Sequence, residues 1–300
     1  MVKNIGLFQN LVSQLDKTAR HNRQGSYKTR TRYFEACKRF CAFLADEFHL
    51  QKLANIAPKH IEAYAKFMQD KSLAASTVKT DLTAIRFFHD QIANAKHTLP
   101  GNDTLNLDRR KFGGVDRTWS KMELTRMMAL CRNLGREDYL CIVCLGYYSA
   151  LRIEETFRLG TAQAEAALKT GILTIKGKNG LMRSVPIQAT IEIELKKMLE
   201  HTKRGQKLFV GKDEKTHLNI KQLQNFINYH RKEIQDPDST RPLSFHGLRH
   251  TCAENWYKSL RNKGYSDSAA RQQVSEWLGH HRLDITEIYL AGLKGDDGGV

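Results

Sequence analysis

The stretch Gly171-Ile-Leu-Thr-Ile-Lys-Gly-Lys-Asn-Gly-Leu-Met-Arg-Ser-Val-Pro-Ile187 decides the fold. Ile172 to Ile175 and Met182 to Ile187 are short β-type runs, and Asn179-Gly180 lies between them. Asn-Gly in that position is the strongest short-range hairpin signal, because both residues tolerate the positive φ a tight turn needs. Elsewhere the apolar residues recur at steps of three and four, the period of a helix face. One small hairpin in an otherwise helical chain is predicted, a mainly α protein.

Working outward, Ser120-Lys-Met-Glu123 is a capping box, and Leu124, Met127, Met128, Cys131 and Leu134 continue it as a helix. Tyr139 to Leu145 is apolar throughout and reads as a buried helix. Beyond Ile191 the reading is helical again, down to Gly279 as a helix stop. Towards the N-terminus, Phe34, Cys37, Cys41, Leu44 and Phe48 share one helical face. Ile61, Tyr64, Ala65 and Met68 make another helix, entered through Pro58. Val78, Leu82, Ile85, Phe88 and Ile92 make a third, with Ser76 or Thr77 as its N-cap. After Ile92 the periodicity stops. Pro100-Gly-Asn-Asp and Arg109-Arg-Lys-Phe-Gly-Gly114 are polar and Gly-containing. The expected organisation is a helical domain over 1–98, a linker over 99–118 and a second domain over 119–300, consistent with a length of 300 residues.

The chain holds 48 Lys and Arg against 32 Asp and Glu, a net charge of +16. Residues 1–118 carry 20 basic and 11 acidic side chains and residues 119–300 carry 28 and 21, so both halves are basic. That pattern fits two domains touching one polyanion, nucleic acid before an acidic membrane. Arg20 to Arg39 is the densest early basic stretch. No window has the roughly 18 consecutive apolar residues of a membrane span. The first residues lack the pattern of a secretory signal. Six cysteines without framework spacing read as reduced, mostly buried thiols of a cytosolic protein. Cys141-Ile-Val-Cys144 lies in an apolar run with no second cysteine pair, so core packing is expected rather than zinc or redox chemistry.

Three stretches concentrate reactive groups. Ser149-Ala-Leu-Arg-Ile-Glu-Glu155 sets Arg152 and Glu155 three apart, one face of a helix. Ser244-Phe-His-Gly-Leu-Arg-His-Thr251 sets His246, Arg249 and His250 on one helical face. Leu278-Gly-His-His-Arg-Leu-Asp-Ile-Thr-Glu-Ile-Tyr289 follows a helix stop with two histidines and then a tyrosine. Converging arginines bind a phosphate by bidentate forks and stabilise charge that grows in phosphoryl transfer. Cations beside a tyrosine favour its phenolate, a nucleophile. His246 and His250 have zinc-protease spacing, but Gly247 stands where the glutamate base would be and Arg249 would repel a metal. No Asp/Glu cluster for a two-metal site is present either, so no metal is expected. Each group alone has an ordinary reading, Arg152–Glu155 as a structural ion pair and Tyr289 as a core residue. Their joint occurrence, in order, in a basic two-domain chain is what points to catalysis.

On these motifs the sequence resembles the tyrosine recombinases, the phage integrase family, over both domains. Ala150-Leu-Arg-Ile-Glu-Glu155 is similar to the first-arginine box, Lys176-Gly-Lys-Asn-Gly-Leu-Met-Arg-Ser-Val-Pro186 to the β-hairpin, His246-Gly-Leu-Arg-His250 to the H-x-x-R box and Leu278-Gly-His280 to the box of the second histidine. Ala150 stands where the family often has glycine. Ser72-Leu-Ala-Ala-Ser-Thr-Val-Lys79 and the helix through Arg86-Phe-Phe88 resemble the core-binding domain.

The resemblance implies a helical SAM-like core-binding domain plus a mixed, mostly helical catalytic domain with a small β-sheet. It implies Arg152, Lys178, His246, Arg249, His280 and Tyr289 as catalytic residues, with Glu155 and His250 in support. Lys176 rivals Lys178, and His281 rivals His280. Tyr289 would form a 3′-phosphotyrosine, with no metal, nucleotide or other cofactor. Arg30, Arg32, Lys79 and Arg86 are expected to contact DNA. The expected partner is double-stranded DNA with paired inverted half-sites, bound by a homotetramer, with an accessory directionality protein and no membrane. The expected location is the cytoplasm, on the nucleoid. A non-catalytic DNA-binding regulator and a type IB topoisomerase are the rival readings.

Overall fold

The computed structural model describes residues 2–20, 22–110, 115–177, 180–279 and 283–295. The chain divides into two compact units, Met1–Lys111 and Phe112–Val300.

In the first unit, α1 (Ile5–Arg20), α2 (Tyr27–Glu47), α3 (Pro58–Asp70) and α4 (Ala75–His89) surround one core. Ser26 caps α2, its hydroxyl accepting from the Thr29 amide. Phe40, Phe43, Tyr64 and Phe67 form an aromatic cluster between α2 and α3, with ring centroids 4.9–6.4 Å apart. The periodicity above leaves α1 unassigned; the structure forms it and buries Leu11 and Leu15. The start of α4 is also a correction. Its N-cap is Ala74, and Ser76 and Thr77 already lie in the first turn. The Ala74 carbonyl accepts from the Thr77 and Val78 amides, so no side-chain cap forms. Leu99 is buried and Leu105 and Leu107 pack on the same core, so part of the expected linker is bound to the first unit. Arg86 ties this stretch down, donating to the Pro100 carbonyl at 3.0 Å and to Asn102 Oδ1 at 2.5 Å.

The second unit runs α5 (Lys121–Asn133), α6 (Glu137–Ser149), α7 (Ile153–Thr156), α8 (Thr161–Thr170), β1 (Ile172–Lys176), β2 (Met182–Pro186), α9 (Ala189–His201), α10 (Thr216–Tyr229), α11 (Arg231–Ile234), α12 (Phe245–Asn262), α13 (Asp267–Leu278) and α14 (Leu283–Tyr289). Helix α6 is apolar all round and buried from Tyr139 to Gly146, which makes it the central helix. Gly146 lets α12 approach it: a Cβ there would lie 2.9 Å from the Phe245 ring. The Ser120–Glu123 capping box forms, with reciprocal bonds of 2.7 and 3.1 Å.

The strands pair antiparallel, Lys176 opposite Met182 and Ile172 opposite Pro186. Gly177 donates to the Leu181 carbonyl, and Gly180 takes φ +81°; Lys178 and Asn179 lie outside the described residues. Leu173, Ile175, Arg183 and Val185 face inward, so an arginine occupies a core position of β2. All six cysteines are free thiols and buried, Cys141 and Cys144 within α6. Burial holds both of those thiols protonated, Cys144 with a pKa pushed up to about 12. Among the described residues, no helix is long and apolar enough to cross a membrane.

Candidate active site

The site grows from the end of α6. Helix α6 stops at Ala150, which takes φ +51°, a left-handed conformation that costs an L-residue roughly 1 kcal/mol. This reversal aims the Ala150 carbonyl inward and starts α7 with Arg152 as its N-cap. Arg152 and Glu155 therefore meet at a helix entrance rather than along a helix face. Glu155 Oε2 accepts from the Arg152 amide and Oε1 from Arg152 Nη1, both at 2.8 Å.

A second guanidinium completes this corner. Arg183 Nη2 donates to Glu155 Oε2 at 2.8 Å and to the Ala150 carbonyl at 3.1 Å. Burial alone would raise the Glu155 pKa, but the Arg183 charge, the Arg152 amide and Arg249 hold it below the usual range. Glu155 is thus a buried anion shared by two arginines.

Arg249, on the first turns of α12, is fully buried. Its Nη1 donates to the Ala150 carbonyl, and its Nη2 to the Leu278 carbonyl at 2.6 Å. Burial and the Arg183 charge lower its pKa to about 10, so it is protonated at neutral pH. Tyr289 ends α14 and is 6% exposed. Its ring centroid lies 4.5 Å from that of His250, 5.5 Å from that of His246 and 5.3 Å from Arg249 Cζ. Helix spacing carries these contacts, because His246, Arg249 and His250 share the face of α12 that α14 covers.

The two histidines are neutral. Burial first, then the charges of Arg249, Arg117 and Arg152, push the His246 pKa down to about 4. The His246 residue is exposed overall, with its ring against those of His250 and Tyr289. Burial, His246, Arg117 and Arg249 push His250 to about 3, against a smaller opposing effect of Asp116. Arg117 acts on this pair from the segment that enters α5. The Trp119 amide donates to Thr251 Oγ1 at 2.7 Å, and its indole to the Ser244 carbonyl at 2.9 Å. Gly247 makes that crossing fit: a Cβ there would collide with the Arg117 carbonyl.

The structure thus brings together Arg152, Glu155, His246, Arg249, His250 and Tyr289, from three separate segments. Lys178, His280 and His281 lie outside the described residues, and the rival Lys176 is exposed on β1. Two residues join the site that the motifs did not nominate, Arg183 and Arg117. Strand alternation could have found the first, since an inward Val185 makes Arg183 inward. Nothing in the local sequence marks the second.

The four residues expected to contact DNA lie in the first unit. Arg32 pairs with Asp81, a buried carboxylate that also holds Arg39 Nη2 at 2.7 Å. Arg86 is committed to Pro100 and Asn102. Arg30 makes long bonds of 3.4 Å to the Arg23 and Gly25 carbonyls, and Lys79 is half-buried on α4. Arg30 and Lys79 are the more available pair.

A mainly helical chain of two units, with arginines and histidines gathered on a buried tyrosine, defines the class of tyrosine-type site-specific recombinases. The chain belongs to the phage integrase family. The pattern of the Phage integrase family matches residues 117–295, and that of Phage integrase, N-terminal, matches residues 8–97. The chain is similar to tyrosine recombinase XerC of Natranaerobius thermophilus, 24% identical over 277 residues that cover 88% of each chain. It is also similar to tyrosine recombinase XerC of Pediococcus pentosaceus, 24% identical over 93% of this chain and 92% of that one. Its fold is shared with XerH site-specific recombinase bound to palindromic difH substrate, at TM-score 0.64 and 18% identity over 93% of this chain and 80% of that one. It is shared with the Tn1549 transposon integrase in complex with transposon right end DNA, at TM-score 0.60 and 12% identity over 93% and 94%.

Proposed function

We propose that the chain cleaves and rejoins duplex DNA at specific sites through a covalent link to Tyr289. The observation that carries this is the seating of the Tyr289 ring against His246, His250 and Arg249, with Arg152 acting on the same His246. In the proposed step the Tyr289 oxygen attacks the scissile phosphorus. A tyrosine O–P bond forms, the P–O5′ bond breaks, and the product is a 3′-phosphotyrosine with a 5′-hydroxyl. The phenol proton leaves to an adjacent base or water. The leaving 5′-oxygen takes a proton from Lys178 as general acid. Arg152 and Arg249 neutralise the charge of the non-bridging oxygens. A neutral His246 adds a hydrogen bond, and His280 a further one. The reverse attack by a 5′-hydroxyl of another strand restores the phosphodiester, so the bond energy is conserved and neither ATP nor a metal takes part.

The proposed partner is double-stranded DNA carrying inverted half-sites. Four copies of the chain would assemble on two sites, with an accessory protein setting direction. The proposed setting is the nucleoid of the cytoplasm, and the proposed task is the movement of a mobile element. The two basic units, joined through a linker over 99–118, would share the duplex. Likeness to recombinases solved on DNA supports this reading.

The test uses nicked duplexes tiled across the DNA that flanks the coding sequence. Wild-type protein should form an adduct that survives denaturing detergent, on the 3′ end, and Tyr289→Phe should form none. An adduct with Tyr289→Phe would move the nucleophile elsewhere, to Tyr257 or Tyr265.

A further inference from the structure

Arg183 ties separate parts of the site together. It is 7% exposed, at an inward position of β2. It donates to three acceptors in three segments: Glu155 Oε2, the Ala150 carbonyl, and the Trp277 carbonyl at 2.6 Å. Each acceptor is one step from an arginine assigned to phosphate. The other Glu155 oxygen holds Arg152. The Ala150 carbonyl also accepts from Arg249. Trp277 precedes Leu278, whose carbonyl takes the second Arg249 nitrogen. Space is kept for this side chain as well. Gly279, at φ +70°, would with a Cβ stand 2.9 Å from Arg183 Cδ.

Burying such a cation costs hydration, and a buried ion pair seldom exceeds a well-packed apolar side chain in stability. What the charge does supply is geometry. One planar guanidinium reads three oxygens at fixed angles, which no apolar residue can do. All three of its bonds go to protein acceptors.

We propose that Arg183 is a positioning residue that sets the spacing of Arg152 and Arg249, holding the first through Glu155 and the second through the Ala150 carbonyl. This rests on the recombinase reading above, in which those two arginines hold the scissile phosphate.

The experiment compares wild type, Arg183→Met and Arg183→Lys on the nicked duplex that gives the wild-type adduct. A second duplex is identical but has a neutral methylphosphonate at the scissile position. Single-turnover cleavage, duplex binding and melting temperature are measured for each. Misplaced phosphate-binding arginines matter only while the non-bridging oxygens are charged. Arg183→Met should therefore cleave the phosphodiester about 100-fold more slowly, bind within about threefold of wild type, and lose less than about fivefold on the methylphosphonate. Arg183→Lys, which keeps the charge without the fork, should fall between. Equal losses on both duplexes, in both variants, would make Arg183 merely structural and overturn the proposal. Wild-type rates in both variants would also overturn it. Absence of any wild-type adduct would overturn the recombinase reading, and the role of Arg183 with it.

Discussion

His250 is an imidazole kept neutral between α12 and Tyr289. Its pKa in the fold is about 3, while an unfolded chain would titrate it near ~6.5. The folded value is the lower one, so between the two the unfolded state binds more protons. Stability therefore falls as pH drops through about 6.5 towards 3. Between pH 7 and pH 5 this residue should cost about 2 kcal/mol. Urea unfolding at the two pH values checks this, and His250→Gln should lose about one proton of the slope; an unchanged slope would assign it to other groups. Much of the site was legible at this scale. Arg152, His246, Arg249 and Tyr289 each stood in a short local motif. The left-handed turn at Ala150 was not read, because alanine itself does not favour positive φ; the glycine common at this place in the family was its only trace. The charge of Arg117 on the histidines was not either, since it depends on a chain crossing more than a hundred residues away in sequence.

At the scale of elements, α2 and α4 are joined through Asp81, one buried carboxylate between Arg32 and Arg39. Either arginine alone can neutralise it. Replacing Arg32 or Arg39 singly by alanine should cost under about 1 kcal/mol, and the double replacement about 2 kcal/mol or more, because only then is a buried charge left unpaired. Water around two half-exposed arginines keeps the figure below that of a fully buried pair. Urea titration of the three variants measures the non-additivity, and strict additivity would refute a shared carboxylate. The pairing of Arg32 was not legible in its local sequence. Its partner sits 49 residues away, beyond any local pattern. Element types were largely legible, from periods of two and four. Helix α1 shows the limit: Phe8, Leu11, Val12 and Leu15 do repeat, but only packing against α2 makes that short pattern a helix.

Over the whole molecule the net charge of +16 divides into two kinds of work. On the proposed function a few cations serve one phosphate, and the remainder serve the fold or the DNA backbone. On the proposed function, Arg30→Ala and Lys79→Ala should each lower the slope of log affinity against log salt by about 1, with cleavage at saturating duplex retained. Arg152→Ala should instead abolish cleavage even at saturating duplex. Reversed results would exchange the two groups. The composition showed that charge was in excess, but not which arginines were engaged inside the fold, as Arg86 is with Pro100 and Asn102. The six cysteines lead somewhere more practical. Since all are free and buried, the native surface offers no thiol to a maleimide. The wild-type protein should take up under about one equivalent of thiol reagent until denaturant is added, and then six. One cysteine introduced in each unit would then carry a donor and an acceptor dye against an almost silent background. The separation of the two units, before and after DNA is added, becomes a distance that fluorescence can read directly.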